Sequence, residues 1–321
     1  MIEKEATVIY EALTQKIDNN RVLQNVPLKE HISFRVGGPC RVMVFPENEE
    51  EIQYAIECSK RENIKYFILG KGTNLIAPDD GYDGVVIKLG AEFNRIDVTD
   101  AATCTADDLS ACRAAVGTIY AQAGALLSAI SKKALEHGLA GFEFASGIPG
   151  SLGGAVLMNA GAYDGEIGTF VKRVRFLTAE GEIQEWTREQ CDFSYRHSAF
   201  QNGQYTILGA ALQFEKGEPA KIRALIEEYT RRRNEKQPLT YPSAGSTFKR
   251  PKGHFAGKLI QDAGLMGLSV GGAMVSRLHA GFVINTGNAT AEDILSLIRL
   301  IQNTVFDKFG VMLEPEVRVL K

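Results

Sequence analysis

The run RVMVFPENEEEIQYAIECSKRENIKYFILGKGTN, residues Arg41 to Asn74, decides the fold class. Val42 to Phe45 has the length and apolar content of a strand, Pro46-Glu47-Asn48 opens a helix, and Ile52, Ala55 and Ile56 lie on one face of that helix. Tyr66 to Leu69 is a second strand, so the run predicts a βαβ unit with parallel strands. That strand runs into Gly70-Lys71-Gly72-Thr73-Asn74. Glycines at a strand end let successive backbone N–H groups approach an anion such as a pyrophosphate, although a tight surface turn uses the same residues. The next residues are the turn-rich Pro78-Asp79-Asp80-Gly81 and a strand from Gly84 to Leu89. A Rossmann dinucleotide unit would open a helix directly after its glycines, so this is a different α+β arrangement.

Working outward, Thr118 to Ala123, Val171 to Thr178 and Tyr205 to Phe214 read as strands, and Ala125 to His137 as a helix stopped by Gly138, which together predict a second α+β unit. Residues 97–117, with Asp97, Asp100, Asp107 and Asp108 among small residues, read as a loop or hairpin excursion. Pro219 to Lys236 carries Ile222, Leu225, Ile226 and Tyr229 at helical spacing. A further helix starts at Thr290-Ala291-Glu292-Asp293, which has the form of a capping box, with Ile294, Leu297, Ile298, Ile301 and Val305 as its apolar stripe. Both helices are assigned to a third unit, as expected for a chain of 321 residues.

A net charge of -3 gives no global reason to bind nucleic acid or an anionic membrane, so any anionic ligand must be met by local cations. Cys40, Cys58, Cys104, Cys112 and Cys191 form no C-x-x-C pair, which argues against structural zinc and a disulfide scaffold and for reduced thiols. The first residues lack the basic start and apolar run of a secretory signal, and no stretch reaches membrane-spanning length; a cytoplasmic protein is expected.

Four further segments could carry chemistry. Gly147-Ile148-Pro149-Gly150-Ser151-Leu152-Gly153-Gly154-Ala155, followed by Asn159-Ala160-Gly161-Ala162-Tyr163, leaves little side-chain bulk and suits a backbone lying against a flat cofactor; Pro149 speaks against an ordinary helix there. Close helix-strand packing is the other reading. Ser194-Tyr195-Arg196-His197-Ser198 offers a guanidinium that can meet a carboxylate-type anion or serve as an ion-pair partner. Pro242 to Pro251 combines Ser243 and Ser246 with Lys249 and Arg250, and is either a proton donor beside phosphate-binding cations or a capped turn on a basic surface. In Leu313-Glu314-Pro315-Glu316-Val317-Arg318, strand alternation would direct Glu316 and Arg318 to one face.

Taken in order, Ser33-Phe34-Arg35-Val36-Gly37-Gly38, Leu69 to Leu75, the Gly147 and Asn159 clusters, Tyr195 to Ser198, Pro242 to Pro251 and Leu313 to Arg318 closely resemble the UDP-N-acetylenolpyruvylglucosamine reductase (UDP-N-acetylmuramate dehydrogenase) family. The likeness covers all but the first twenty-odd residues. The short stretch between Arg196 and Ser246 resembles the family's shorter form, which lacks a lid loop carrying a substrate-facing tyrosine. Ser33 stands where the family commonly has threonine, and residues 97–117 are longer than its usual hairpin.

The resemblance implies a three-domain α+β flavoenzyme. Two domains, residues 1–83 with 314–321 and residues 84–217, grip FAD as in vanillyl-alcohol-oxidase-type flavoproteins, and a third, residues 218–313, closes over the UDP-sugar. It implies FAD contacts from Gly70, Lys71, Gly72, Thr73, Asn74, Leu75, Gly124, Gly147, Ile148, Pro149, Gly150, Gly153, Gly154, Ala155, Arg233 and Arg318, with the two arginines on the phosphates. Substrate contacts are implied for Lys236, Arg250 and His279. Hydride passes from NADPH to the flavin and then to the enolpyruvyl group, Arg196 and Glu316 flank the substrate carboxylate, and Ser246 delivers the proton. Charge builds on that carboxylate, so Glu316 is expected to have a raised pKa. Two other readings share the cofactor fold: an FAD-dependent oxidase or dehydrogenase of a small alcohol, and a flavin-binding regulator without turnover.

Overall fold

The computed structural model describes residues 2–99, 116–203 and 205–321. In chain order its elements are α1 (Ile2–Thr14), β1 (Val22–Pro27), β2 (Pro39–Val44), α2 (Glu49–Arg61), β3 (Tyr66–Leu69), β4 (Leu75–Ile76), β5 (Tyr82–Lys88), β6 (Ile96–Thr99), β7 (Val116–Gln122), α3 (Leu127–Glu136), β8 (Leu139–Ala140), α4 (Leu152–Met158), β9 (Gly161–Ala162), β10 (Gly165–Glu166), β11 (Val171–Leu177), β12 (Ile183–Thr187), β13 (Thr206–Lys216), α5 (Pro219–Lys236), α6 (Ala256–Asp262), β14 (Ser269–Val270), β15 (Ala273–Val275), β16 (Val283–Asn285), α7 (Ala291–Phe309) and β17 (Arg318–Val319).

The opening run forms β2, α2 and β3. Asn48 caps α2, its side chain accepting from the Glu51 N–H at 2.8 Å, and three glutamates in the first turn and Lys60 and Arg61 in the last suit the helix dipole. The strands are parallel as the pattern predicts, but they are not neighbours. The sheet order is β1-β2-β5-β3, with β5 parallel to both flanking strands. β5 takes the centre because Val85, Val86 and Ile87 are fully buried, whereas most of β3 is only half-buried.

This sheet separates two cores. Along β5, Val85 and Ile87 face one apolar cluster and Val86 the other; on β2, Val42 and Val44 oppose Met43 in the same way. The first cluster continues into a six-stranded antiparallel sheet through Ile119, Phe142, Val174 and Phe176. The second continues into α7 and the three-stranded sheet β14-β15-β16 through Val275, Ile294, Leu297 and Ile301. β6 and β7 pair antiparallel, from Ile96 opposite Ala121 to Thr99 opposite Thr118. Residues 100–115, the bulk of the expected excursion with Asp100, Asp107 and Asp108, lie outside the described residues.

Two expectations change. α5 does not share a body with α7: it packs on α3, β8 and the turn Glu143–Ala145, and the Tyr163 hydroxyl donates to the Tyr229 carbonyl while their rings stack 4.3 Å apart. Pro149 does not prevent a helix, because α4 starts three residues later, beyond the reach of the proline ring. The capping box on α7 forms as read, Thr290 and Asp293 exchanging bonds, and Asp79 adds acceptors for the Ala291 and Glu292 N–H groups. The chain end returns to the first sheet's neighbourhood, where β17 pairs parallel with β4, Arg318 opposite Leu75.

Candidate active site

A cleft of about 620 Å³ runs between the loop after β3, the start of α4 and the segment after α5. Its walls include the whole of Gly70 to Leu75, with Ile148, Pro149, Gly150, Gly154 and Ala155 opposite, and Arg233 and Arg318 also reach it. A second cavity of about 430 Å³ carries Arg250, Lys258 and His279. Arg196, Ser246 and Glu316 line both. The three side chains therefore stand where the cavities meet.

Each is placed by a separate local device. Asn159 ends α4 in the left-handed conformation at φ 43°, fully buried; its amide donates to the Ser194 carbonyl at 2.9 Å and its carbonyl accepts from the Gly168 N–H at 2.8 Å. Ser194 and His197 then close a tight turn, and Gln201 donates to the Arg196 carbonyl at 2.9 Å. Arg196 itself sits at φ 54°, where asparagine or glycine is usual, so the turn spends conformational strain to aim a guanidinium. Glu316 is held from both sides: its N–H donates to the Thr247 carbonyl at 2.8 Å, and the Asn74 side chain donates to the Glu316 carbonyl at 3.0 Å. Because Thr247 follows Ser246, the same contact locates the serine.

Arg196 Nε donates to Glu316 Oε1 at 2.7 Å and Nη2 to the Gly161 carbonyl at 3.1 Å, which leaves the remaining guanidinium N–H groups for a ligand. Burial pushes the Glu316 carboxyl above the usual carboxylate range, with Arg196 and then Lys249 pulling against it. At the second cavity, burial lowers the His279 pKa; its Nδ1 accepts from the Gly281 N–H at 3.1 Å, so the neutral ring carries its hydrogen on Nε2. Arg250 stacks on Phe255 at 3.9 Å from the ring centroid.

The glycines separate into two kinds. A Cβ on Gly124 would come 2.3 Å from the Phe93 carbonyl, one on Gly153 2.9 Å from Ala123 Cβ, and one on Gly147 3.1 Å from Arg233 Cδ. None of these three lines either cavity, and a side chain at each would meet a close neighbour. A Cβ on Gly154 would meet nothing within 4 Å, although Gly154 lies on the cleft wall. That unfilled space, the glycine loop opposite it and two arginines are what a flat cofactor with an anionic tail requires. Lys236 is exposed at the end of α5 and lines neither cavity, while Leu239 to Tyr241, not singled out in the sequence, line the first.

Residues 237–320 match the C-terminal domain of UDP-N-acetylenolpyruvoylglucosamine reductases, and residues 40–187 match an FAD binding domain. The UDP-N-acetylenolpyruvoylglucosamine reductase of Alkaliphilus oremlandii is 47% identical over 97% of both chains. The chain belongs to the UDP-N-acetylenolpyruvoylglucosamine reductase family. The enzymes of that name from Clostridium perfringens and Clostridioides difficile are each 46% identical over 97% of both chains. The crystal structure of the reductase from Thermus caldophilus superposes with a TM-score of 0.76 at 32% identity, over 94% of this chain and 99% of that one. The reductase fold thus spans the junction of the two cavities, and its FAD binding domain contains the glycine loop and the Gly150–Ala155 wall. Among the described residues no helix is long and apolar enough to cross a membrane.

Proposed function

We propose that Arg196, Glu316 and Ser246 carry out in this chain the reaction of its family: FAD-mediated, NADPH-dependent reduction of UDP-N-acetylglucosamine enolpyruvate to UDP-N-acetylmuramate in peptidoglycan synthesis. The observation that carries the reading is that these three, far apart in sequence, line both cavities at their meeting point. Gly70 to Leu75, Ile148 to Gly150, Gly154, Ala155, Arg233 and Arg318 would hold FAD in the first cavity. Arg250 and His279 would hold the sugar nucleotide in the second. When bound, FAD supplies hydride transfer, taking it from NADPH and giving it to the enolpyruvyl carbon.

The chain's own residues manage the charge. Arg196 meets the negative charge that builds on the substrate carboxylate, preplaced by its turn so that no reorganisation is needed at the moment of reaction. Glu316, whose carboxyl burial pushes above its usual range, would stand beside that carboxylate as a proton donor or as an organiser of water. Ser246 lines both cavities, and its hydroxyl would deliver the proton that completes the lactyl ether.

Of the expected bodies, residues 1–83 with 314–321 are supported by the pairing of β17 with β4, and α5, which packs on α3 and β8, goes with residues 84–217 instead of with the rest of 218–313. The work is placed in the cytoplasm, which supplies NADPH and UDP-sugars, and the buried unpaired thiols of Cys40, Cys58 and Cys191 agree with a reducing compartment. Stopped-flow separation of the half-reactions tests the assignment. Ser246→Ala should leave flavin reduction by NADPH nearly intact and slow reduction of the sugar roughly a hundredfold to ten-thousandfold. Equal loss of both would refute the proton-donor role.

A further inference from the structure

Beneath the glycine loop lies a lysine for which the reaction has no use. Lys88 ends β5 opposite Leu69, and its ammonium donates to the Gly70 carbonyl at 2.6 Å. The Gly70–Lys71 peptide is thereby held at both ends, because the Lys71 N–H donates to Ser151 Oγ at 3.3 Å. Gly72 is pinned as well. It has φ 72°, a Cβ there would come 2.3 Å from the His31 carbonyl, and its own carbonyl accepts from the Ser33 N–H at 3.0 Å.

The charges facing Lys88 are all basic. Lys71 faces it from the loop itself, and His31 from the segment ahead of β2, where burial first and Lys88 second lower the imidazole pKa. Burial, reinforced by Lys71, pushes the Lys88 ammonium down to about 8. Among the described residues no carboxylate pairs with it. A largely buried ammonium with only like charges around it is unfavourable, and an anion is the partner that would offset the cost. The carbonyl it grips belongs to the loop that faces the first cavity.

We propose that Lys88 is a positioning residue for the FAD pyrophosphate, fixing the Gly70–Lys71 peptide and supplying positive charge from behind the loop. This rests on the FAD reading of residues 70–75. It makes cofactor binding proton-linked. Phosphates in front of the loop favour the ammonium form, so above pH about 8 the free protein must take up a proton to bind FAD. Affinity is then full below that pH and falls as pH rises through it.

The test is the FAD dissociation constant of the full chain, from flavin fluorescence between about pH 6.5 and about pH 9.5, for wild type, Lys88→Met and Lys88→Arg. The thermal midpoint of each without FAD is measured alongside. Wild-type affinity should fall by up to about tenfold per pH unit above pH 8. Lys88→Met should bind roughly ten- to a hundredfold more weakly at neutral pH, with a flat profile. Lys88→Arg should restore affinity and lose the alkaline fall, since a guanidinium stays charged. A wild-type affinity independent of pH over this range overturns the proposal, as does a folded Lys88→Met that binds like wild type. If Lys88→Met does not fold, the wild-type and Lys88→Arg profiles decide. A wild-type chain that takes up no FAD at any pH would instead sink the FAD reading itself, and this inference with it.

Discussion

Replacing Asn159 by alanine should damage both the fold and one half of the reaction, by amounts that the structure lets one work out. Asn159 is fully buried, and its two hydrogen bonds join α4 to the Ser194 carbonyl and the Gly168 N–H. Truncation leaves the buried Gly168 N–H without a partner, at about 1–3 kcal/mol, and removes one of two bonds on the part-buried Ser194 carbonyl, which keeps the His197 N–H, at about 0.5–1.5 kcal/mol. Alanine at φ 43° adds about 1–2 kcal/mol of left-handed strain that asparagine tolerates better. The expected loss is about 2.5–6.5 kcal/mol, a large share of the roughly 5–15 kcal/mol that holds a typical protein folded. Asn159→Gly removes the strain but not the lost bonds, so it should lie about 1–2 kcal/mol above the alanine variant. Urea unfolding of the three FAD-free proteins gives these differences. Because the Ser194 carbonyl anchors the turn that aims Arg196, the surviving folded variant should also reduce the sugar more slowly while reducing flavin with NADPH at close to the wild-type rate. An alanine cost below about 1 kcal/mol, or a glycine variant no better than alanine, would refute the account of this cap.

Two other outcomes are expected. Gly154→Ala meets nothing within 4 Å and sits inside α4, so it should stabilise the FAD-free protein by about 1 kcal/mol through helix propensity while lowering FAD affinity; Gly153→Ala should instead lower the thermal midpoint, because its Cβ runs into Ala123. A differential-scanning and flavin-binding comparison of the pair distinguishes ligand space from packing space. Glu316 has its carboxyl pKa raised in the folded protein, so it binds protons more readily folded than unfolded. Its contribution to stability is therefore full below the ordinary carboxylate range and is lost as pH rises through the raised value. Thermal midpoints of wild type and Glu316→Gln should move apart in wild type's favour toward acid pH, and an unchanged gap from pH about 4 to about 8 would contradict the burial effect.

Much of the local structure was legible because its causes are local. Asn48 ahead of three glutamates, and Thr290 three residues before Asp293, mark helix starts through bonds spanning three residues, and both appear as read. Tyr66 to Leu69 needed only its apolar run. The partner of a strand is not local. Nothing in Gly84 to Leu89 states that it inserts between β2 and β3; that follows from burying both faces of Val85, Val86 and Ile87 at once. Likewise α5 has an apolar stripe suited to any core, and its packing on α3 and β8, with Tyr229 stacked on Tyr163, assigns it to the second sheet's side.

By itself, then, the order of residues determined the family, the glycine loop and the identity of the guanidinium, hydroxyl and carboxyl groups, because motif and capping chemistry is written in neighbouring side chains. Tertiary structure decided that these groups meet. Glu316 reaches Arg196 only because β17 pairs with β4 and returns the chain's end to the loop after β3. It also decided which glycines leave room for a ligand and which merely let backbones touch, since the space around a missing side chain depends on what distant segments bring there.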